Sequence, residues 1–176
     1  FFIAFAIGQL FVGPLADAYG RRPFVLGGLT LFVIGSIICA FAQSLPMLIG
    51  GRVIQALGAC AASVLARAIA RDLYSGPQLT RALSLVMIAM AAAPGFSPAL
   101  GAGLSTSLGW RSTFFFVAIA GTLAALHYLT SAGETLAPHN RRQNRIGKVI
   151  GDYAALAMDS RFNRPAVAVS LVIGCL

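Results

Sequence analysis

Long stretches without a charged side chain constrain this sequence more than any other feature. Residues 23–51 and residues 82–110 contain no Asp, Glu, Lys or Arg, and each stretch exceeds the roughly 20 apolar residues with which a helix crosses a bilayer. The whole chain is 58% hydrophobic and 10% charged, whereas about a quarter of the residues in a soluble domain are charged. We therefore expect an all-α, multi-pass membrane protein.

Glycine, proline and charged residues divide the chain into membrane segments. Two turns rich in arginine lie near residues 18–23 and 67–81, and two less charged turns lie near residues 43–46 and 105–111. Together they predict a bundle over residues 1–132 with five membrane helices, near residues 1–17, 24–42, 47–70, 82–105 and 112–132.

The distribution of arginine predicts which turns face the cytoplasm. The net charge is +8, from 13 Lys and Arg against 5 Asp and Glu. It does not indicate a nucleic-acid partner, because the basic residues lie between apolar runs and form no water-facing patch. Positively charged turns of membrane proteins stay on the cytoplasmic side. The turns near residues 18–23 and 67–81 are therefore predicted to be cytoplasmic, with the lipid bilayer between them and the other two.

Residues 133–164 form a long polar stretch in which six residues are basic, so they are predicted to be a central cytoplasmic loop. Apolar residues recur there at helical spacing, which indicates an amphipathic helix on the inner leaflet, with an ordinary solvated linker as the alternative. These residues are Ile146, Val149, Ile150, Tyr153 and Leu156. Residues 165–176 are predicted to begin a further span.

Both ends of the sequence favour a longer protein. Phe1 is not an expected natural start, and the chain stops at Leu176 within an apolar run that is too short to cross a bilayer. The predicted topology places residue 1 on the outer side. One preceding span is then the simplest expectation for a protein that starts in the cytoplasm.

The first cytoplasmic turn carries a compact group of charges. It reads Gly13-Pro14-Leu15-Ala16-Asp17-Ala18-Tyr19-Gly20-Arg21-Arg22-Pro23. Asp17 at a membrane edge needs a cation or a helix N-terminus, Gly20 permits a sharp turn, and the arginines can bridge to a second acid. Asp72, in the other cytoplasmic turn, is the candidate for that acid. The alternative is a pair of topology-setting arginines beside a solvated aspartate.

A second candidate site is an arginine inside an apolar helix. Placing Arg52 in a membrane costs about 2.5 to 3.5 kcal/mol, so we expect its side chain to face a polar cavity or partner. Gln55 lies on the same helix face. The small surface needed for close helix packing comes from Gly51, Gly58 and Ala62. The alternative is a structural arginine whose side chain snorkels to the nearby outer surface.

The third candidate is a proline-rich element late in a membrane helix, marked by Pro94, Pro98 and Gly101. Each proline frees a backbone carbonyl, which membranes tolerate where neighbouring groups or a cavity take it up. A kinked helix that serves packing alone is the alternative.

These elements resemble motifs of the major facilitator superfamily. The first cytoplasmic turn is similar to the loop between the second and third helices of these transporters, and it departs at Ala18, where a basic residue is usual. Arg52 and Gln55, with Gly58, resemble the arginine motif of the fourth helix. The turn is matched at six positions, Gly13, Leu15, Asp17, Gly20, Arg21 and Arg22.

The proline-rich element resembles the fifth-helix element of antiporters in part, because Pro98 and Gly101 match while Ser97 and Ala102 replace glycines. Gly109-Trp110-Arg111 resembles the start of the sixth helix. The resemblance is closest to drug/proton antiporters of the bicyclomycin-resistance type. It implies the N-terminal helix bundle of such a protein, from the second helix to the start of the seventh.

The resemblance implies a secondary active transporter of the cell inner membrane. It would export drugs or other small amphipathic molecules in exchange for protons by alternating access, as a monomer and without a cofactor. The resemblance also implies that the charged turn, together with Asp72, is a cytoplasmic gate that braces the two halves of the transporter. Arg52 and Gln55 would belong to the substrate or proton-coupling cavity, where the arginine tunes a protonatable acid.

Two other classes of function stay open. An importer of sugars or metabolites would share the charged turn but lack the proline-rich element. A non-transporting membrane sensor or assembly protein would be expected to carry a soluble output domain. An enzyme is not expected, because the sequence has no Gly-rich phosphate loop, nucleophile elbow or paired catalytic carboxylates.

Histidine and cysteine do not predict a metal site. His127 and His139 are too far apart along the chain to act as clustered ligands, and we interpret them as ordinary interfacial residues. Cys39, Cys60 and Cys175 lie inside apolar runs without a C-x-x-C pair. We interpret these cysteines as small packing residues.

Overall fold

The computed structural model describes residues 1–136 together with Gly151 and Asp159. The chain divides into two compact units, residues 1–141 and 142–176. The first unit contains α1 (Phe2–Tyr19), α2 (Arg21–Ala40), α3 (Leu45–Leu73), α4 (Gly76–Leu108) and α5 (Arg111–Ser131). The apolar residues of the predicted amphipathic helix and the predicted span at residues 165–176 lie outside the described residues.

All five helices are long and apolar enough to cross a membrane. Within the described part of the chain the secondary structure is helical, with no strand. These observations confirm the predicted all-α, multi-pass membrane fold.

The cytoplasmic junctions are shorter than the sequence predicts. Gly20 alone separates α1 from α2, and Tyr74 and Ser75 separate α3 from α4. At Gly20 φ is 108°, a conformation that side chains disfavour, so the chain turns within a single residue. Consequently α2 and α4 begin at Arg21 and Gly76 and not near residues 24 and 82. A helix can continue beyond the apolar region because long charged side chains reach water from it.

Contacts between junctions place alternate junctions at opposite ends of the bundle. Arg21 follows the first junction and pairs with Asp72, which lies just before the third. At the other end, Arg111 donates a hydrogen bond of 2.9 Å to the carbonyl of Ala42, which joins the fourth junction to the second. The arginine-rich junctions therefore share one end, as the predicted topology requires, and we call it the cytoplasmic end.

Helix α2 packs against both α3 and α5, and α3 also packs against α1. Glycine allows the backbones of α2 and α3 to touch. A Cβ at Gly58 would overlap the backbone of Phe32, and a Cβ at Gly35 would overlap the backbone of Gln55. The predicted small face of α3 thus contacts α2, which is the packing that small residues permit in membranes.

Buried cysteines fill similar gaps between the helices. Cys39 on α2 and Cys60 on α3 are both buried, and Cys60 lies directly against Gly8 of α1. Their placement agrees with the interpretation as packing residues, while Cys175 lies outside the described residues.

Helix α4 lies at the margin of the bundle, because none of its residues is buried. The helix continues through Pro94 and Pro98 without a break. Each proline lacks the N–H that would close a helical hydrogen bond, so the backbone is locally under-bonded there. Large apolar side chains such as Met87 and Phe96 are exposed along it, which suits a helix whose surroundings are lipid or other helices.

Candidate functional site

One arginine and two carboxylates join the cytoplasmic ends of three helices. Asp17 lies near the end of α1, Arg21 opens α2, and Asp72 lies near the end of α3. Arg21 forms an ion pair with Asp17, and its Nε lies 3.0 Å from Oδ2 of Asp72. We call these three residues the Arg21 cluster.

The Arg21 cluster is partly removed from solvent. The Arg21 side chain is 9% exposed, and those of Asp17 and Asp72 are 34% and 18% exposed. A desolvated guanidinium is costly unless it is paired and hydrogen-bonded. Its planar fork can serve two carboxylates that approach from different helices, which a lysine ammonium does less well. The cluster is therefore a device that holds α1, α2 and α3 together at one end.

Arg22 does not join the Arg21 cluster. Its Nη2 donates a 3.2 Å hydrogen bond to the backbone carbonyl of Leu129. This bond ties the start of α2 to the last turn of α5. Within the described residues, the predicted bridge from the arginine pair to Asp72 is therefore made by Arg21, and Arg22 braces a different helix.

Glu134 is a further carboxylate at the cytoplasmic end, and the sequence pattern did not mark it as functional. Its Oε1 accepts hydrogen bonds from the backbone N–H of Arg21 at 2.8 Å and of Leu136 at 3.1 Å, and its Oε2 accepts from the N–H of Arg22 at 3.3 Å. Gly20 has no side chain with which to cap α2, so a carboxylate from beyond α5 supplies the cap and also favours the positive end of the helix dipole.

A cleft of about 400 Å³ opens beside the Arg21 cluster, between α1 and α3. Arg67 and Arg71 add positive charge to its wall. Arg67 is held within its own helix, because its Nε donates to the carbonyl of Ser63 at 3.3 Å. Gly13 lies on the α1 side, where the nearest neighbour of a Cβ would be Val64 at 3.8 Å. Its small size keeps the cleft open and does not serve a close backbone contact.

Arg52 lies on α3, nearer the opposite end of the bundle. Its Nη1 donates a 2.7 Å hydrogen bond to Oε1 of Gln55, which is 2% exposed. Because α3 starts at Leu45, Gln55 lies deeper along the helix than Arg52. The guanidinium is thus bonded towards the middle of the helix and not towards its outer end.

Aromatic rings flank the Arg52 guanidinium. Its central carbon lies 4.4 Å from the ring centre of Phe1 and 5.9 Å from that of Phe114, within the range of cation–π attraction. These rings, with Arg52 and Gln55, line a cleft of about 470 Å³ between α1, α3 and α5. A wall of aromatic and aliphatic groups with a few polar ones is typical of a small-molecule site.

The proline-rich element lies apart from both clefts. Pro94, Pro98 and Gly101 belong to α4, and none of them lines the clefts beside Arg21 or Arg52. In the described part of the chain, no three His, Cys, Asp or Glu residues are grouped as metal ligands would be. His127 contacts Ser131 one turn away at 3.4 Å, and His139 lies outside the described residues.

The whole sequence, residues 1–176, matches the Major Facilitator Superfamily. It is 34% identical to an uncharacterized MFS-type transporter, YdgK, of Bacillus subtilis over 98% of this chain and 43% of the relative. It is 30% identical to multidrug resistance protein D of Escherichia coli over 93% and 40%. It is 28% identical to a bicyclomycin resistance protein homolog of Haemophilus influenzae over 86% and 38%. The chain thus spans about two fifths of the length of these curated relatives.

A solved structure shows the same fold. The human organic anion transporter MFSD10 (TETRAN) superposes with a TM-score of 0.68 at 22% identity, over 88% of this chain and 38% of that transporter. Members of the family carry small molecules across membranes. From the match over its full length, the five spans and these relatives, we conclude that the chain belongs to the Major Facilitator Superfamily, as a multi-pass protein of the inner membrane.

Proposed function

We propose that the protein with this chain is a secondary active transporter that exports small amphipathic molecules, drugs among them, in exchange for protons. The observation that carries the proposal is the Arg52 guanidinium, bonded to buried Gln55 and flanked by Phe1 and Phe114 on an apolar cleft. A charge that is costly in a membrane is retained where it meets substrates or protons. The drug-resistance names of the relatives agree with this chemistry.

In this proposal the Arg21 cluster is part of the cytoplasmic gate. The ion pairs from Arg21 to Asp17 and Asp72 hold three helix ends together while the cytoplasmic side is closed. Alternating access rocks one helix bundle against another about a midplane site. A bundle that moves as a body needs such braces. Gly20 makes the turn that carries them, and Gly13 keeps the adjacent cleft open. We propose that the transporter acts as a monomer.

Growth and transport measurements test the export proposal. The full-length protein, made in bacteria that lack their own drug exporters, should raise the concentrations of chloramphenicol and ethidium that stop growth. In everted membrane vesicles, an imposed pH gradient should drive ethidium uptake, and a protonophore should abolish it. Arg52→Ala at an equal protein level is the inactive control.

The outcomes distinguish the proposal from its rivals. Ethidium transport that is unaffected by the protonophore would contradict proton coupling. Sugar or metabolite accumulation by intact cells, without drug efflux, would identify an importer. If neither probe nor metabolite is moved by abundant protein, the transporter assignment of the Arg52 cleft is wrong.

A further inference from the structure

A chain of three hydrogen bonds leads from Arg52 to the backbone of α2. Nη1 of Arg52 donates to Oε1 of Gln55 at 2.7 Å. Nε2 of Gln55 donates to Oγ of Ser36 at 2.7 Å. The Ser36 hydroxyl donates to the carbonyl of Phe32 at 2.7 Å. The bonds thus connect a charged group on α3 to a fixed acceptor on the neighbouring helix.

The chemistry of the groups fixes the direction of this chain. A serine hydroxyl has one hydrogen, and Ser36 gives it to Phe32, so towards Gln55 its oxygen can only accept. The amide nitrogen of Gln55 must therefore face Ser36, which turns the amide oxygen towards Arg52. A guanidinium has donors and no acceptor, so this is the orientation that Arg52 requires.

Burial of Ser36 and Gln55 makes the orientation of the Gln55 amide energetically important. Ser36 is 0% exposed and Gln55 is 2% exposed, so water does not compete for their polar groups. Gly35, beside Ser36, contacts the backbone of Gln55 and brings the two helices close enough for the direct bond. An amide group left without its acceptor in such a place bears most of its desolvation cost.

We propose that Ser36 is a positioning residue for Arg52. By orienting the amide of Gln55, it holds the guanidinium at the depth and angle at which it faces the cleft of Phe1 and Phe114. The meaning of this role for transport rests on the proposed function, but the positioning itself does not.

The positioning is measured without transport, by the reactivity of Arg52. Purified full-length protein in lipid vesicles is treated with phenylglyoxal, which modifies guanidinium groups, and the rate at Arg52 is followed by mass spectrometry. Ser36→Ala should raise this rate by about threefold or more, because the Gln55 amide that holds Arg52 loses one buried hydrogen bond. Gln55→Leu should raise it at least as much. In the Gln55→Leu background, Ser36→Ala should have no further effect.

A matched control separates positioning from general loosening of the fold. Ser84→Ala on α4 removes a hydroxyl that also donates to the carbonyl four residues earlier, at 2.8 Å, and it should leave the Arg52 rate unchanged. If Ser36→Ala does not fold, Ser36→Cys gives the same comparison. Its thiol is a weaker acceptor than the hydroxyl, so we expect a smaller increase in the modification rate at Arg52. The proposal would be overturned if Arg52 reacts in the Ser36 variants at the wild-type rate. It would also be overturned if Ser36→Ala raises the rate at Arg52 equally in the wild-type and the Gln55→Leu backgrounds.

Transport then supplies the second measurement. Ser36→Ala should impair proton-driven ethidium uptake and change its pH profile, while Ser84→Ala should do neither. Increased Arg52 reactivity without any ethidium transport in the wild type would support positioning and contradict the proposed function. Unchanged reactivity with normal wild-type transport would contradict positioning and leave the function intact.

Discussion

At the scale of single residues, this protein uses arginine where an apolar environment makes charge expensive. Arg21 and Arg52 solve the problem differently. Arg21 is neutralised by Asp17 and Asp72, whereas Arg52 bonds to a neutral amide and lies beside aromatic rings. The first arrangement is a closed structural unit. The second places the guanidinium at the wall of a cleft, so the two arginines should respond differently to substitution.

Asp17→Asn tests the Arg21 cluster. The substitution keeps the size of the side chain and removes its charge, so the nearly buried Arg21 guanidinium keeps only Asp72 as its counter-ion. We expect normal abundance in the membrane with export reduced about tenfold, the effect of losing roughly 1.4 kcal/mol from a charge-assisted contact. Ethidium efflux from cells measures it. Arg71→Gln, which removes a charge from the same cleft, is the control. Equal export by Asp17→Asn and wild type would contradict the proposal that the Arg21 cluster is part of the gate.

Arg52→Lys tests the second arrangement. Lysine keeps the positive charge but loses the planar fork that bonds Gln55 and lies beside Phe1 and Phe114. We expect ethidium uptake into everted vesicles to fall about tenfold and its pH dependence to change, with Arg52→Ala worse still. Arg67→Lys on the same helix is the control. A lysine variant with the activity and pH profile of the wild type would show that Arg52 only snorkels to the surface.

At the scale of the helices, backbone proximity decides the packing of α2 against α3. Gly28 on α2 and Gly58 on α3 let the two helices approach closely, and a Cβ at either position would overlap the facing helix. The cap of α2 is likewise not local, because its acceptor comes from the segment after α5. Both features depend on atoms that are distant along the chain.

Gly58→Ala should destabilise the bundle. The added methyl group meets the backbone of Phe32 and Gly28, which cannot move aside as a side chain could, and over-packing of this kind costs about 1–3 kcal/mol. We expect a lower unfolding temperature for the detergent-purified protein. Gly50→Ala, on the same helix with no neighbour within 4 Å, is the control. Identical unfolding temperatures for the two variants would show that α2 and α3 are not in backbone contact.

Glu134→Ala should also destabilise the protein, through loss of the cap on α2. A lost cap costs about 0.5–2 kcal/mol. Glu134→Gln keeps one acceptor oxygen for the N–H of Arg21 and should cost less. The order of thermal unfolding temperatures is therefore expected to be wild type, then Gln, then Ala. If all three unfold at the same temperature, Glu134 does not cap α2.

At the scale of the whole molecule, the arrangement of junctions determines how the bundle sits in the membrane. The Arg21 to Asp72 pair gathers the first and third junctions at one end, and the Arg111 to Ala42 bond gathers the second and fourth at the other. The end with more arginine should face the cytoplasm. This orientation also places Glu134 on the cytoplasmic side.

Cysteine labelling tests the orientation. In a full-length background without Cys39, Cys60 and Cys175, single cysteines at Ser44 and Ser107 should react with a membrane-impermeant maleimide in intact cells. Cysteines at Ser75 and Asn140 should react only after the cells are opened. Ser44, Ser75 and Ser107 are all exposed, so burial does not confuse the comparison. Labelling of the Asn140→Cys variant in intact cells would reverse the topology.

The sequence by itself predicted the fold class, the five spans found among the described residues and which junctions share an end of the bundle. These properties follow from apolar run length and arginine placement, which act locally between a segment and the bilayer. The sequence also placed Arg52 and Gln55 on one helix face, because residues three apart are neighbours there, and the structure shows a hydrogen bond between them. Helix ends were predicted less well, since charged residues such as Arg21 and Arg71 continue a helix into water.

Tertiary structure alone decided which distant groups meet. The pairing of Arg21 but not Arg22 with Asp72, the cap from Glu134 and the bond from Gln55 to Ser36 join residues that are 19 to 113 positions apart in the sequence. Such contacts depend on the angle and distance at which helices pack, and these are set by small residues such as Gly35 and Gly58 acting together. No single stretch of sequence contains that geometry, because it arises only when the helices pack against one another.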